Sequence, residues 1–333
     1  MKVLADMHHG DLFYSLYMLF VERFGWELYY PHGLEWFYKG YWKYHPSENT
    51  AHQFLLPGTL PYPVKGDSLD SPQKTFPVLP MTLEEFSDVG VDIVVASVNA
   101  HDVSFRNVIN ERCKRAKLVR QCGNVFDSPN YSVVKNILNS CKHLVIPDNI
   151  NSVYYHQEFD LDRFCWTTPR NHTTIRNMLH YIKTTPDYPL WNKYKSVLCE
   201  MDWKQHGCDG DDGVVPTFKE LLEFTKDMGF LWHTKSGGDG YGYNIHYTAS
   251  CGRPIITRTS HYIGKTAMDL LKDGTTCIDL DVRNFDDNII MIRKFSQEEE
   301  HLTMCNNMYH TFKNTVNFDN EFEHIKLFFE RLI

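Results

Sequence analysis

The sequence predicts an α/β protein with two doubly wound, parallel-sheet domains. The chain opens with an apolar strand, a short polar turn, an apolar helix and a second strand, and the stretch from Phe230 to Asp281 runs strand, turn, helix, strand, turn, helix, strand. Strands alternating with helices place the helices on both faces of a parallel sheet. The length, 333 residues, suits two ordinary domains, and no repeat or low-complexity tract interrupts it.

Lys2–Met7 (KVLADM) reads as the first strand and His8-His9-Gly10-Asp11 as a turn. Leu12–Phe24 is apolar and aromatic, which fits a buried helix ending at Gly25, and Trp26–Tyr30 gives the second strand. Residues 31–80 carry many prolines and glycines and read as a long excursion. Asp92–Val98 (DIVVASV) is the clearest strand of the first half. A helix from about Asp102 to Ala116 and strands at Leu118–Cys122 and His143–Pro147 continue the alternation. In the second half, Phe230–Lys235 is a buried strand, and Gly237, Gly238, Gly240 and Gly242 follow within six residues. A helix begins near Gly242, ends at Cys251-Gly252, and leads into the strand Pro254–Thr257. Such a turn lets backbone N–H groups approach a ligand, and the helix N-terminus attracts phosphate.

The net charge of −8 argues against a protein coated in basic surface for nucleic acid. A local cluster remains, formed by Arg112, Lys114, Arg115, Lys117 and Arg120; most such runs are a solvated helix face. Nine scattered cysteines without a C-x-x-C pair indicate neither a zinc site nor a redox motif, and read as reduced thiols of a cytoplasmic protein. The N-terminus is too short and polar for a signal peptide, and no apolar run approaches the ~20 residues of a membrane span. The first turn, HHGD, lacks the dinucleotide glycine fingerprint, which disfavours a dehydrogenase.

The segments DGYG (Asp239–Gly242), SCGRPII (Ser250–Ile256) and DLLKDGTTCIDLD resemble, in that order, the donor domain of GT-B glycosyltransferases of the retaining family 4/family 1 group. EFDLDRF (Glu158–Phe164) resembles the stretch at which those enzymes pass from one domain to the next. The resemblance covers most of the chain in order and is specific in Lys235–Asp281 and around Glu158–Phe164. It implies two Rossmann-like domains facing across a cleft: an acceptor domain (1–165), a donor domain (166–305), and a C-terminal helix (306–333) packing back on the first. It further implies transfer of a sugar from a UDP- or GDP-sugar co-substrate to a hydroxyl of a glycan or small molecule. No metal or cofactor is expected, and retention of anomeric configuration is favoured. Two departures stand out: the first acid is Asp239 in place of Glu, and the second acid falls at Tyr247, beside His246.

On this reading Asp239 accepts hydrogen bonds from the sugar; the bland alternative is an Asp capping the following helix. Gly238, Gly240, Tyr241 and Gly242 offer backbone N–H groups, with His246 and Tyr247 on the adjoining helix. Lys235, Arg258 and Lys265, with Arg253 nearby, meet the charge that grows on the leaving diphosphate. His101, just past DIVVASV, matches a histidine that the family brings close to the anomeric carbon, and Asp102 beside it is a base if the reaction inverts. His8, His9, Gly10 and Asp11 face acceptor and phosphate, with His9 or Asp11 orienting the acceptor or taking its proton. Domain closure would exclude water. The run CDGDDG (Cys208–Gly213) contains Asp-x-Asp, but so do Asp160–Asp162 and Asp279–Asp281, and it reads as a polar loop. One alternative is transfer to a hydroxymethylated base in DNA, as in viral DNA modification, which places the enzyme in a host cytoplasm and gives the basic cluster a role. Another is a non-catalytic module of the same fold, for which the departure at Tyr247 speaks.

Overall fold

The computed structural model describes residues 1–6, 10–31, 79–81, 90–97, 115–125, 127–179, 181–213, 215 and 218–333. The chain forms two compact units: unit 1 is Met1–Phe159 with Asn317–Ile333, and unit 2 is Asp160–Val316.

Unit 1 is built on a seven-stranded parallel sheet of order β3-β2-β1-β4-β5-β6-β7. Its strands are β1 (Lys2–Asp6), β2 (Glu27–Pro31), β3 (Leu79–Met81), β4 (Ile93–Ser97), β5 (Lys117–Cys122), β6 (Asn136–Asn139) and β7 (Asn151–Tyr154). Val3, Leu4, Ala5, Ile93 and Val95 have no exposure, the continuous apolar run that a strand covered on both faces requires. Helix α1 (Gly10–Tyr17) runs on as a π-helical stretch at Met18–Arg23, and Gly25 turns the chain into β2. β1 and β4 are neighbours, paired from Val3↔Ile93 to Asp6↔Ala96, so the strand order reverses between them.

Two expectations are corrected here. His143–Pro147 is not a strand: it is an irregular connection between β6 and β7, with Val145 84% exposed and Leu144 and Ile146 resting on the Cys122–Ile137–Ile150 cluster. The ladder instead runs through β6 and β7, whose strands begin with Asn136 and Asn151. Residues 306–315 do not belong to the last helix either; they are the final turns of a helix beginning at Glu298. Val316 is extended and Asn317 caps a new helix by accepting from the Asn320 N–H at 3.0 Å, so the break falls there. That last helix, Phe318–Glu330, belongs to unit 1. Phe322 and Phe329 meet Phe24, Phe20 and Trp26, while Arg23 pairs with both Glu158 and Asp319.

Unit 2 holds a five-stranded parallel sheet of order β12-β11-β10-β8-β9. The strands are β8 (Thr174–Asn177), β9 (Asp202–Gln205), β10 (Phe230–His233), β11 (Ile255–Thr257) and β12 (Cys277–Asp279). Helices α2 (Tyr188–Val197), α3 (Phe218–Asp227), α4 (Tyr243–Ser250), α5 (Phe285–Phe295) and α6 (Glu298–Thr315) accompany them; α7 is the terminal helix of unit 1. Trp191 is the hub of one core, meeting Trp203 edge-on at 4.7 Å and Trp232 at 5.5 Å. The order reverses between β8 and β10, and in an open parallel sheet ligands bind beyond the carboxyl ends of strands at such a point. No disulfide joins the described cysteines, and among the described residues no helix is long and apolar enough to cross a membrane.

Candidate functional site

The richest polar constellation of unit 2 lies beyond the carboxyl ends of β10, β11 and β12. β10 ends at His233, and residues 234–242 turn the chain into α4. The turn is tight. Gly238 has φ +64°, and a Cβ there would lie 2.2 Å from the His261 carbonyl oxygen, so this position admits only glycine without movement of backbone. Lys265 Nζ holds the turn from the other side, donating to the carbonyls of Gly237 and, at 2.6 Å, His261. Gly242 is left-handed, φ +88°, and its carbonyl accepts from Ile245 and His246 as the first turn of α4 closes.

Asp239 sits mid-turn with about a quarter of its side chain exposed (24%). One oxygen is paired with Lys235 Nζ, and the other lies 3.2 Å from His233 Nε2. Burial pushes this carboxyl up, but Lys235 and His233 outweigh it and hold it well below the usual carboxylate range. A carboxylate fixed in its ionised form on a glycine turn accepts hydrogen bonds from hydroxyl groups and cannot donate.

Arg258 follows β11 and is forked between two acids. Its Nε donates to Asp281 at 2.8 Å and its NH1 to Asp187 at 3.1 Å. Asp187 immediately precedes α2, in the connection after β8, and Asp281 follows β12; thus Arg258 ties three strand ends together. Its side chain is 37% exposed, which leaves an edge for a ligand. Lys183, on the connection after β8, donates to Asp209 through its backbone and to Asp211 through Nζ at 2.7 Å. Asp187, Asp281, Lys183 and His233 belong to this polar constellation and were not singled out by sequence reasoning; the signal for each was only its place at or beyond a strand end.

Other expected residues have different places. Arg253 is fully buried and donates to the carbonyls of Lys226, Thr167 and Cys251, so it ties loops together and faces no ligand. The Tyr241 and His246 rings stack at 4.0 Å, both buried, with His246 Nδ1 on the Gly242 carbonyl at 2.8 Å. Tyr247 is buried against Phe164. The side chains of Tyr241, His246 and Tyr247 therefore serve the packing of α4, and the Gly238 N–H is taken by the Lys235 carbonyl at 2.7 Å. In unit 1, Gly10 opens α1 and Asp11 follows it, beyond the carboxyl end of β1. His8, His9, His101 and Asp102 lie outside the described residues; the strands preceding them, β1 and β4, flank the reversal in strand order. Arg112 and Lys114 lie outside as well, and Lys117 begins β5, at the opposite end of the sheet from the carboxyl ends.

Each Asp-x-Asp run is engaged by protein donors. Asp209 accepts from the Lys183 N–H and Asp211 from Lys183 Nζ, Asp160 from Asp162 and Arg163, and Asp279 from Thr259 and Asp281. Among the described residues no group of three His, Cys, Asp or Glu side chains is arranged to hold a metal ion.

No protein-family model matches the chain, and no curated protein matches it by sequence. Solved structures do match in fold over its whole length. A glycosyltransferase from Rickettsia africae ESF-5 is 10% identical, with TM-score 0.64, 99% of this chain and 98% of that one being covered. An alpha-glucosyltransferase in complex with UDP gives TM-score 0.64 at 10% identity, covering 99% of this chain and 100% of that one. HepE of Anabaena in complex with UDP gives 0.58 at 10% identity, over 99% of both chains. The fold is that of the GT-B glycosyltransferases, two parallel α/β sheets in one chain.

Proposed function

We propose that this protein is a glycosyltransferase that moves a sugar from a nucleotide-sugar to an acceptor hydroxyl. The observation that carries the reading is Asp239: a carboxylate kept ionised on a glycine turn, beyond the end of β10 and on the turn that leads into α4. Asp239 accepts hydrogen bonds from the donor sugar. Backbone N–H groups of the turn, the N-terminus of α4, Lys235, Lys265 and the exposed edge of Arg258 receive the diphosphate. The acceptor oxygen bonds to the anomeric carbon as the bond from that carbon to the diphosphate breaks; the electron pair leaves with the diphosphate and the acceptor proton is lost to a base. Candidates for acceptor handling are His8, His9, Gly10, Asp11, His101 and Asp102, all in segments that follow β1 and β4. The mechanism needs no resident metal, because fixed cations meet the developing charge. UDP is the first nucleotide to test, since several fold neighbours are described as UDP complexes. The DGYG…CGRPII motif supports the retaining family 4/family 1 group.

A glycan or small-molecule acceptor fits the net charge of −8. A second reading is DNA: one fold neighbour was solved with UDP and a 13-mer DNA containing an HMU base, at TM-score 0.64. Lys117 of the basic cluster lies at the amino end of β5, which speaks against that cluster as the DNA contact. Calorimetry of UDP, GDP and their glucose and mannose conjugates, with and without Mn²⁺, tests the donor reading. Metal-independent binding of one pair, with loss of the sugar increment in Asp239→Ala, supports it. Absence of binding by every member points to a non-catalytic module. Transfer of labelled sugar to hydroxymethylated duplex DNA, or its failure, decides the second reading.

A further inference from the structure

We infer that His233 is a positioning residue of the donor site, holding Asp239 at the angle at which the carboxylate receives the sugar. This rests on the donor reading above.

Asp239 lies between Gly238 and Gly240, on backbone that does little by itself to fix a side chain. Two groups restrain it, and they differ in kind. Lys235 is 46% exposed, on a flexible four-carbon stem in water. His233 is the last residue of β10 and its side chain is 1% exposed. Its backbone is locked in the sheet: it pairs with Thr257 of β11, and its carbonyl accepts from Thr257 Oγ1 at 2.6 Å. Tyr262, fully buried, lies beside the ring with centroids 6.1 Å apart. The imidazole is therefore the rigid restraint and the ammonium the soft one.

The hydrogen bonding of the ring separates this role from that of an ordinary core histidine. His301 is equally buried, and its Nε2 braces the Gly229 carbonyl at 2.9 Å, backbone to helix. His233 makes no such bond to backbone through its ring among the described residues. Its Nε2 is directed at Asp239, 3.2 Å away, and its Nδ1 is buried with no partner among the described residues. Leaving a buried ring nitrogen unpaired is unfavourable, so retention of a histidine there is explained by what the other nitrogen does. Donation to a carboxylate requires a proton on Nε2. A carboxylate offers about four acceptor positions. Lys235 and His233 each take one, on different oxygens, which leaves one position on each oxygen for a sugar hydroxyl. His233 thereby sets which pair of adjacent hydroxyls the carboxylate can receive.

The test compares His233→Leu, His233→Gln and Asp239→Asn with the unaltered protein. Binding of UDP and of intact UDP-glucose is measured by calorimetry, turnover as kcat and KM, and folding by thermal melting. Gln places an amide nitrogen near the position of Nε2 and keeps the donor; Leu fills similar space without one. The expected result is UDP affinity within about twofold of the unaltered protein in all variants. The extra affinity contributed by the sugar falls ~10-fold or more in His233→Leu and in Asp239→Asn, and kcat falls with it. His233→Gln recovers most of both. If His233→Leu keeps the sugar increment and kcat while Asp239→Asn loses them, the histidine has no positioning role and the donor reading stands. If UDP and UDP-glucose affinity fall together with the melting temperature in both His233 variants, the ring only maintains the fold and the inference is overturned. If the unaltered protein binds neither UDP nor UDP-glucose, the donor reading fails for this nucleotide and takes the inference with it.

Discussion

Tyr247 lies flat against Phe164, with ring centroids 4.3 Å apart and planes 12° from parallel. The contact joins the two segments that carry the family resemblance, EFDLDRF and the helix after DGYG, inside unit 2. It sets an aromatic ring, and no polar partner for a carboxylate, against position 247. A side chain at this point of α4 faces an aromatic interior, and Phe164 and Tyr247 are 0% and 2% exposed. Restoring a carboxylate by Tyr247→Glu is therefore expected to place an unpaired charge among rings and destabilise unit 2 by several kcal/mol, roughly 2–5. Melting of the variant at pH 7 checks this; a variant as stable as the parent, binding nucleotide more tightly, would show that the position faces the ligand.

Gly237 and Gly238 are adjacent and both left-handed, yet their substitutions should differ. A Cβ on Gly237 meets nothing within 4 Å, so Gly237→Ala carries only the backbone penalty, about 1 kcal/mol. A Cβ on Gly238 would collide with the His261 carbonyl and the Lys265 ammonium. Gly238→Ala must push the turn away from Lys265, which shifts Asp239. It is expected to abolish nucleotide-sugar binding, with a cost of about 2–3 kcal/mol in stability. Parallel melting and calorimetry of the two alanine variants separate them, and equal behaviour would remove the argument from the close approach.

How much of this was legible in the sequence depended on where the determining contacts lie. Val3–Ala5, Ile93–Val95 and Leu231–Trp232 are buried on parallel strands, and continuous apolar runs betray such strands locally. HLVIP at 143–147 has the same look but lacks a ladder neighbour, while β6 and β7 open on asparagines and are strands because β6 pairs with β5 and β7 with β6. Pairing of that kind is tertiary information. Asn317-x-x-Asn320, by contrast, was a readable cap signal for the break before the last helix. Within the site, the glycine turn and Asp239 were visible because their spacing is local. Asp187 and Asp281 lie 71 and 23 residues from Arg258, so nothing in the sequence announced that its two faces are held. His233 was hidden in an aromatic strand, FLWH, where a histidine reads as core.

The fork on Arg258 sets opposite expectations for its two ends. Asp187 and Asp281 compete for the guanidinium with any diphosphate. Arg258→Ala is expected to weaken UDP binding about tenfold or more, by removal of a charge-assisted contact, and to lower the melting temperature as well, because Asp187, with 6% of its side chain exposed, loses its guanidinium partner. Asp281→Asn withdraws one competing charge and is expected to strengthen UDP binding by about two- to fivefold. Calorimetry at two salt concentrations reads both. Weaker UDP binding in Asp281→Asn would mean that the fork serves to orient the arginine, and that its geometry matters more than the competing charge.

The response to acid should show His301. This ring on α6 is 1% exposed, donates to the Gly229 carbonyl in the turn before β10 through Nε2, and lies 3.6 Å from the Cys305 sulfur. The Gly229 carbonyl can only accept, so Nε2 carries the proton and the ring is neutral at pH 7. Burial lowers its pKa from 6.5 to about 4, against the opposing pull of the Gly229 carbonyl. As the pH falls, the unfolded chain takes up this proton before the folded one. The stabilisation is therefore whole above about pH 6.5 and is lost as the pH falls through about 4. Between pH 7 and 4.5 the loss from this ring alone is about 2 kcal/mol. His206 and His261 are also lowered by burial and act in the same direction, so they contribute a slope of their own. Asp239 and Asp281 are held low and begin to act only below about pH 4, outside the window. His301→Gln keeps a nitrogen donor near the Gly229 carbonyl and removes the titration. Urea unfolding at pH 7 and 4.5 should then show the variant losing less stability than the parent by about that amount, and an equal loss in both would mean that the ring is protonated in the folded chain.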